Sequence, residues 1–185
     1  MKIEVSLVGV LIILTNAIYG QVVKFNDKNF EVAVLQSKDF NDLNKDGQVQ
    51  VQEAEKVTKL EISGKKISDI TGISFFKNLQ ELNCYDNDLS KLDLSGLRKL
   101  KVVYCTTNKI DTLKVSNLPL LETLACGQNG LKYLRLTNLP QLKYLTCHQN
   151  LLEELNLSGL PSLTDLTAYR NKLLQLDLSK NSKLT

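Results

Sequence analysis

One short segment carries most of the side chains that could do chemistry. Residues 42–53 read D-L-N-K-D-G-Q-V-Q-V-Q-E, so a carboxylate or amide side chain recurs at every second place early in the segment. Gly47, at the sixth place, permits a sharp turn, and Glu53 ends the segment. A hard cation such as calcium takes six to eight oxygen ligands, and this spacing supplies them from one tight loop. The pattern therefore predicts a calcium site. The alternatives are a polar turn that caps a helix, or a loop that once bound calcium.

The segment resembles the calcium loop of the EF-hand, because it satisfies D-x-[DN]-x-[DN]-G-x5-E at every specified position. The resemblance implies a role for each ligand. Side-chain oxygens would come from Asp42, Asn44 and Asp46, the backbone carbonyl from Gln48, a water-mediated contact from Gln50, and both carboxylate oxygens from Glu53. Apolar residues with helical spacing predict a helix within 29–41, and a short second helix is expected over 54–58.

Most of the remaining chain is one repeat. Five blocks of 21 residues align without a gap over 79–183, an irregular block precedes them at 57–78, and another block starts at Leu184. Each regular block follows the pattern L-x-x-L-x-C-x-x-N-x-L-x-x-L-x-L-x-x-L-P-x. The five start at Leu79, Leu100, Leu121, Leu142 and Leu163 (79-99, 100-120, 121-141, 142-162, 163-183). The ninth place holds Asn87, Asn108, Asn129, Asn150 and Asn171.

This pattern resembles the leucine-rich repeat. Alternation within L-x-L and L-x-C puts every second side chain on one face of a short strand, and stacked blocks bury those faces together. The predicted fold is an α+β solenoid with a short parallel sheet on its concave face. Because a solenoid needs a terminal cap, segment 21–56, with its calcium loop, is predicted to be a helical, EF-hand-like cap. The Asn side chains are expected to form a buried ladder that bonds the backbone.

The four Cys all fall at the sixth place, which faces the predicted core. In-register parallel strands would hold their Cβ atoms roughly 4.8 Å apart, further than the roughly 3.8 Å that disulfides prefer. Ala168 fills the same place in the fifth block, so the place needs only a small apolar group. Buried free thiols are predicted. His148 follows Cys147 but would face the opposite side, so no Cys–His nucleophile pair is expected and the chain is predicted not to be an enzyme.

The N-terminus predicts export. Lys2 is followed by an unbroken apolar run over 7–14, and then by small and polar residues, which is typical of a secretory signal peptide over 1–20 that is cleaved near Gly20–Gln21. An uncleaved anchor is the alternative, but the run is shorter than the roughly 20 residues that span a bilayer. At the other end, the repeat that starts at Leu184 predicts either a longer protein or an improvised cap.

Composition excludes some classes of partner. The net charge is +3 and basic residues are scattered through the chain, so no nucleic-acid interface is predicted.

The signal peptide, calcium loop and Cys-bearing repeats together resemble secreted bacterial leucine-rich-repeat proteins of the internalin-like kind. This resemblance implies a protein or glycan partner at the cell surface. The alternatives are an enzyme inhibitor that wraps its target and a scaffold that positions a missing C-terminal module.

A binding surface is expected where side chains leave the strands toward solvent. Four of the six Tyr fall at these places, and Tyr and Arg dominate the energetics of many interfaces. The alternative is that Tyr is simply a favourable strand residue. The candidate partner-binding residues are Tyr85, Tyr104, Tyr144, His148, Tyr169 and Arg170.

Overall fold

The structure is a computed structural model that describes residues 20–184. The signal-peptide prediction therefore concerns a segment that lies, except for Gly20, outside the described residues. Within 20–184, no helix has the length and apolar character needed to cross a membrane.

The main element is a six-stranded parallel sheet. Every strand has three residues, and a single apolar residue at its centre points inward, because side chains alternate along a strand. We number eight strands along the chain. They are β1 Lys59–Glu61, β2 Glu81–Asn83, β3 Lys91–Asp93, β4 Val102–Tyr104, β5 Thr112–Lys114, β6 Thr123–Ala125, β7 Tyr144–Thr146 and β8 Asp165–Thr167. The order in the large sheet is β1-β2-β4-β6-β7-β8.

The register of the sheet follows the repeat. Leu124 of β6 pairs with Val103 on one side and Leu145 on the other, so equivalent places of successive blocks stand side by side. Beneath the sheet, the leucines of every block merge into one continuous core. These observations confirm the parallel solenoid of stacked repeats that the sequence predicts.

A second, smaller sheet was not predicted. Strands β3 and β5 pair in parallel, with Leu92 beside Leu113, at the places where the first two regular blocks return toward their next strand. The later blocks have no strand at the equivalent places.

The N-terminal segment contains less helix than the sequence predicts. Helix α1 spans only Lys28–Leu35, α2 is the single turn Val51–Ala54, and a 3-10 turn follows at Ile73–Phe75. The helix expected within 29–41 therefore ends early. The second helix starts at Val51, before the predicted 54–58, where the carboxylate of Glu53 accepts from the amide of Gln50 at 3.0 Å. The prediction of a helical EF-hand-like cap is not supported by so little helix.

Backbone pairing holds the N-terminal segment together, and one carboxylate joins it to the repeats. The amide of Val23 donates to the carbonyl of Val49 at 2.8 Å, and that of Val51 donates to the carbonyl of Gln21 at the same distance. Asp27 caps α1 with Oδ1, while its Oδ2 accepts from the amide and hydroxyl of Ser68 at 2.7 and 2.8 Å. One side chain thus ties α1 to the first block.

Candidate recognition face and calcium loop

The asparagine ladder holds successive blocks at a fixed spacing. Asn129 shows the pattern: its Nδ2 donates to the carbonyls of Cys105 and Cys126 at 3.0 and 3.2 Å, and its Oδ1 accepts from the amide of Ile110 at 2.9 Å. Each Asn therefore bonds backbone groups of its own block and of the preceding block. The same bonds recur at the other ninth places, which confirms the predicted ladder.

The backbone just before each Asn adopts a left-handed conformation. At the eighth place φ lies between 51° and 58° in all five regular blocks, and Gly64 has φ 64° in the irregular block. The non-glycine residues are Asp86, Thr107, Gln128, Gln149 and Arg170. Sequence reasoning missed this turn because only Gly64 gives a direct signal for it.

The candidate tyrosines do not form one cluster. Tyr85 and Tyr104 are exposed in the first half of the sheet, and Tyr144 and Tyr169 are exposed in the second. The other two candidates, His148 and Arg170, both lie against the ring of Tyr169. The structure therefore concentrates the candidate partner-binding residues at the C-terminal half of the concave face.

The C-terminal half contains a stack of side chains. The imidazole of His148 lies 4.9 Å from the ring of Tyr169, centroid to centroid, with an interplanar angle of 21°. The guanidinium carbon of Arg170 lies 6.0 Å from the same ring centroid, within reach of a cation–π contact. Gly127 provides the space beneath, because a Cβ atom there would lie 2.5 Å from Cε1 of His148.

A row of polar side chains runs beside this stack. The hydroxyl of Thr107 donates to Oε1 of Gln128 at 2.6 Å, and Nε2 of Gln128 donates to Oε1 of Gln149 at 3.2 Å. The row ends at the amide group of Gln149, which is the neighbour of His148 in sequence. Because Oε1 of Gln149 accepts this bond, the group left at the end of the row is Nε2 of Gln149, which is a donor.

The cysteine column belongs to the core. Cys84, Cys105, Cys126 and Cys147 are all free and fully buried, which confirms the predicted buried thiols. Burial raises the pKa of Cys84 and of Cys147 to about 12 and holds the pKa values of the other two well above their ordinary value. These thiols are therefore protonated and unreactive near neutral pH.

The loop 42–53 is folded around its own hydrogen bonds. Oδ2 of Asp42 accepts from the amide of Gly47 at 2.9 Å, and Oδ1 of Asn44 accepts from the amide of Asp46 at 3.2 Å. The carboxylate of Glu53 accepts from the amides of Leu43 and Gln50 at 2.8 and 3.0 Å. The carboxylate of Glu53, the last predicted ligand, is thus bonded to the backbone of the residue that follows Asp42, the first predicted ligand.

Hydrogen bonds within the loop favour the ionised form of Asp46. Desolvation opposes ionisation of Asp46, but hydrogen bonds from Gln48, Gln50 and Asn44 outweigh it and lower the pKa of its carboxyl. Two of these donors are amide side chains bonded to Oδ2 at 2.8 and 2.9 Å. Neighbouring amide donors therefore stabilise the negative charge of Asp46 in this arrangement.

Unpartnered oxygens indicate that the loop fits a hard cation. Oδ1 of Asp42 and Oε1 of Gln50 are buried without a hydrogen-bond partner, and Glu53 is only 4% exposed. Each oxygen of Glu53 retains a lone pair beyond the one that its backbone donor uses. Among residues 20–184, however, no three His, Cys, Asp or Glu side chains form an assembled group. A bound cation would therefore need the amide oxygens, the carbonyl of Gln48 and a turn of Asp46 away from its donors.

Known proteins share this architecture. The family model for leucine-rich repeats in two copies matches residues 77–120. The structure of the functional domain of InlJ from Listeria monocytogenes, which includes a cysteine ladder, superposes with a TM-score of 0.78 and 32% identity over 89% of this chain. This chain has the leucine-rich-repeat fold. It spans 37% of the InlJ chain.

A second internalin shares the fold at lower identity. Internalin C2 from Listeria monocytogenes superposes with a TM-score of 0.56 and 21% identity, over 86% of this chain and 82% of the internalin. A comparison with curated proteins gave no match. The neighbours therefore establish a leucine-rich-repeat solenoid with internalin-like relatives in structure, and the leucine-rich repeat is generally a protein-interaction module.

Proposed function

We propose that this leucine-rich-repeat protein is an exported, non-enzymatic recognition module that binds a protein partner through the C-terminal half of its concave face. The observation that carries the proposal is the stack of Tyr169 with His148 and Arg170, on the half of the face that also exposes the ring of Tyr144. Tyr anchors many interfaces because its large side chain buries much area with few rotatable bonds, and Arg does so because it offers several hydrogen-bond donors. A glycan that stacks on the same rings is the alternative ligand.

The sheet supports this proposal by being rigid as well as exposed. The asparagine ladder fixes the backbone directly beneath these side chains, so little ordering entropy is lost on binding. Six strands at roughly 4.8 Å spacing extend over about 24 Å, a length suited to the surface of another protein.

Export is proposed from residues 1–20. Mass spectrometry of the secreted product should find an N-terminus at Gln21, and an intact N-terminus would contradict cleavage there.

We also propose that calcium binds the loop 42–53 and stabilises the N-terminal end of the solenoid. Asp42, Asn44, Asp46, Gln48 and Glu53 would hold the ion. The buried oxygen of Asp42 that has no partner supports this set, because an orphaned buried carboxylate oxygen is costly without a cation or donor. Stabilisation would reach residues 21–23 through their backbone pairing with the loop, and the repeats through the bonds between Asp27 and Ser68.

The partner face can be tested with matched tyrosine variants. The protein would be screened against arrays of extracellular proteins and of glycans, and each hit measured by surface plasmon resonance with Tyr144→Ser plus Tyr169→Ser. Tyr133→Ser is the matched control, because Tyr133 is the most exposed tyrosine within residues 20–184 and lies away from the large sheet. The proposal expects loss of binding only in the double variant. Equal loss in Tyr133→Ser, or binding unchanged in the double variant, would contradict it.

A further inference from the structure

The C-terminal half of the concave face holds an arginine without an ionic partner. The chain has three Arg, and Arg170 alone lies on this face. None of the ion pairs or side-chain hydrogen bonds found within residues 20–184 uses its guanidinium, which lies over the ring of Tyr169. A guanidinium has five N–H donors in a planar fork that matches a carboxylate.

The N-terminal half of the same face differs, because its one cation, Lys59, is already paired. Nζ of Lys59 lies 2.8 Å from Oε1 of Glu81, and Oε2 of Glu61 accepts from Nδ2 of Asn83 at 2.8 Å. An incoming charged group would have to displace these contacts. The unsatisfied positive charge of the face is therefore confined to its C-terminal end.

Other donors surround Arg170. The row from Thr107 ends at the amide group of Gln149, and the buried Nδ1 of His148 has no partner, so the exposed side of the imidazole is Nε2. Asp165 is the nearest acidic residue on this face in sequence. It stands at the third place of its block, four residues before Tyr169, which puts it at the opposite margin of the sheet, about 13 Å away along the strand.

We propose that His148, Gln149 and Arg170 form a carboxylate-binding site, in which Tyr169 holds the guanidinium in place and the ligand is a Glu or Asp side chain on an acidic surface of the partner protein. This inference rests on the proposed function and names the chemistry of its partner. The stacking on Tyr169 restricts the guanidinium before binding, which lowers the entropy lost when the carboxylate is captured. A protein carboxylate is favoured over a uronate because the leucine-rich repeat is generally a protein-interaction module.

The single histidine of the chain makes the site directly observable. The imidazole resonances of His148 report on this patch alone, because the chain has one His. The protein would be titrated with acetylated tri-glutamate, with acetylated tri-glutamine and with glucuronate, at constant pH and ionic strength, and followed by NMR. We expect saturable shifts of the His148 resonances with tri-glutamate, and at least tenfold weaker effects with the other two probes.

Two charge-matched variants distinguish a built site from general attraction. Arg170→Gln should weaken tri-glutamate binding by about tenfold, whereas Lys172→Gln, which removes the same charge two residues away, should leave it nearly unchanged. Arg170→Lys should bind less tightly than the wild type because it retains charge without the fork. Equal losses in Arg170→Gln and Lys172→Gln, equal binding of tri-glutamine, or tighter binding of glucuronate would each overturn the proposal.

The failure of this inference and that of the proposed function are distinguishable. A partner whose binding depends on Tyr144 and Tyr169 but not on Arg170 would overturn the carboxylate site and leave the recognition face intact. Saturable tri-glutamate binding at His148, together with partner binding that survives loss of both tyrosines, would overturn the proposed recognition face alone.

Discussion

The asparagine ladder and the loop 42–53 use the same kinds of oxygen and nitrogen with opposite results. In the ladder, each amide bonds backbone groups on two blocks; the amide of Asn150, for example, bonds Leu131, Cys126 and Cys147. In the loop, Oδ1 of Asp42 and Oε1 of Gln50 are buried without a partner. The ladder therefore completes its polar interactions from within, whereas the loop leaves two buried oxygens without a partner.

The largest expected effect comes from breaking the ladder. Asn150→Ala leaves the amide of Leu131 without a partner in a buried site and removes one of the two Asn donors to the carbonyls of Cys126 and Cys147, so the free energy of unfolding should fall by about 3 kcal/mol. Urea unfolding would measure it. The control is Asn156→Ala, in which an exposed Asn loses only its bonds to Ser158. Equal and small losses in both variants would show that the ladder does not hold the blocks together.

The thiol column should make the repeats sensitive to alkali. The pKa of Cys84 in the folded chain is about 12, above the ordinary value of 9.0, so the folded state retains a proton that the unfolded state releases. The contribution of the protonated thiol to the free energy of unfolding is full below about pH 9. It is lost as pH rises toward 12, by about 1.4 kcal/mol per pH unit per thiol. Urea midpoints of the wild type and of Cys84→Ala should therefore converge above pH 9. Parallel pH curves would contradict this assignment.

The loop should respond to Asp42→Asn in a manner that depends on calcium. In a chelator, the variant keeps an oxygen for the amide of Gly47, so its unfolding free energy should lie within about 0.5 kcal/mol of the wild type. At a calcium concentration ten times the dissociation constant, calcium should raise the unfolding free energy of the wild type by about 1.4 kcal/mol. The variant should not show this increase. Thermal melts with and without calcium measure both differences. An equal deficit under both conditions would mean that Asp42 has a purely structural role.

The smallest effect is expected at the fifth position of the thiol column. Ala168→Cys adds one atom at a half-buried place that already packs against the core, so stability should change by less than about 0.5 kcal/mol. The new thiol should remain free, because the stacked geometry does not suit a disulfide. Thiol titration before and after unfolding checks this. Formation of a disulfide between Cys147 and the introduced thiol would contradict the parallel stacking of these strands.

Periodicity predicted the parts of this protein that repeat, and little else. Leu, Cys and Asn at fixed places determined the sheet, the core and the ladder, since one block predicts the next. The left-handed turn at Gln128 and its equivalents left no residue preference to detect. The bond that Ser68 donates to Asp27 joins residues 41 apart in sequence, and Asp27 lies outside the repeats. The helix expected within 29–41 ended at Leu35 because apolar spacing alone does not define where a helix stops.

The loop's dependence on calcium is tested most directly by calorimetric titration of the protein, with melting curves of the wild type, Glu53→Gln and Glu55→Gln. Glu53 is buried and bonds the backbone at both ends of the loop, while Glu55 is exposed. We predict saturable calcium binding that raises the melting temperature by about 3–6 °C in the wild type and in Glu55→Gln, and that is lost in Glu53→Gln. No heat and no shift in the wild type would contradict the account and leave the loop a polar turn that needs no ion.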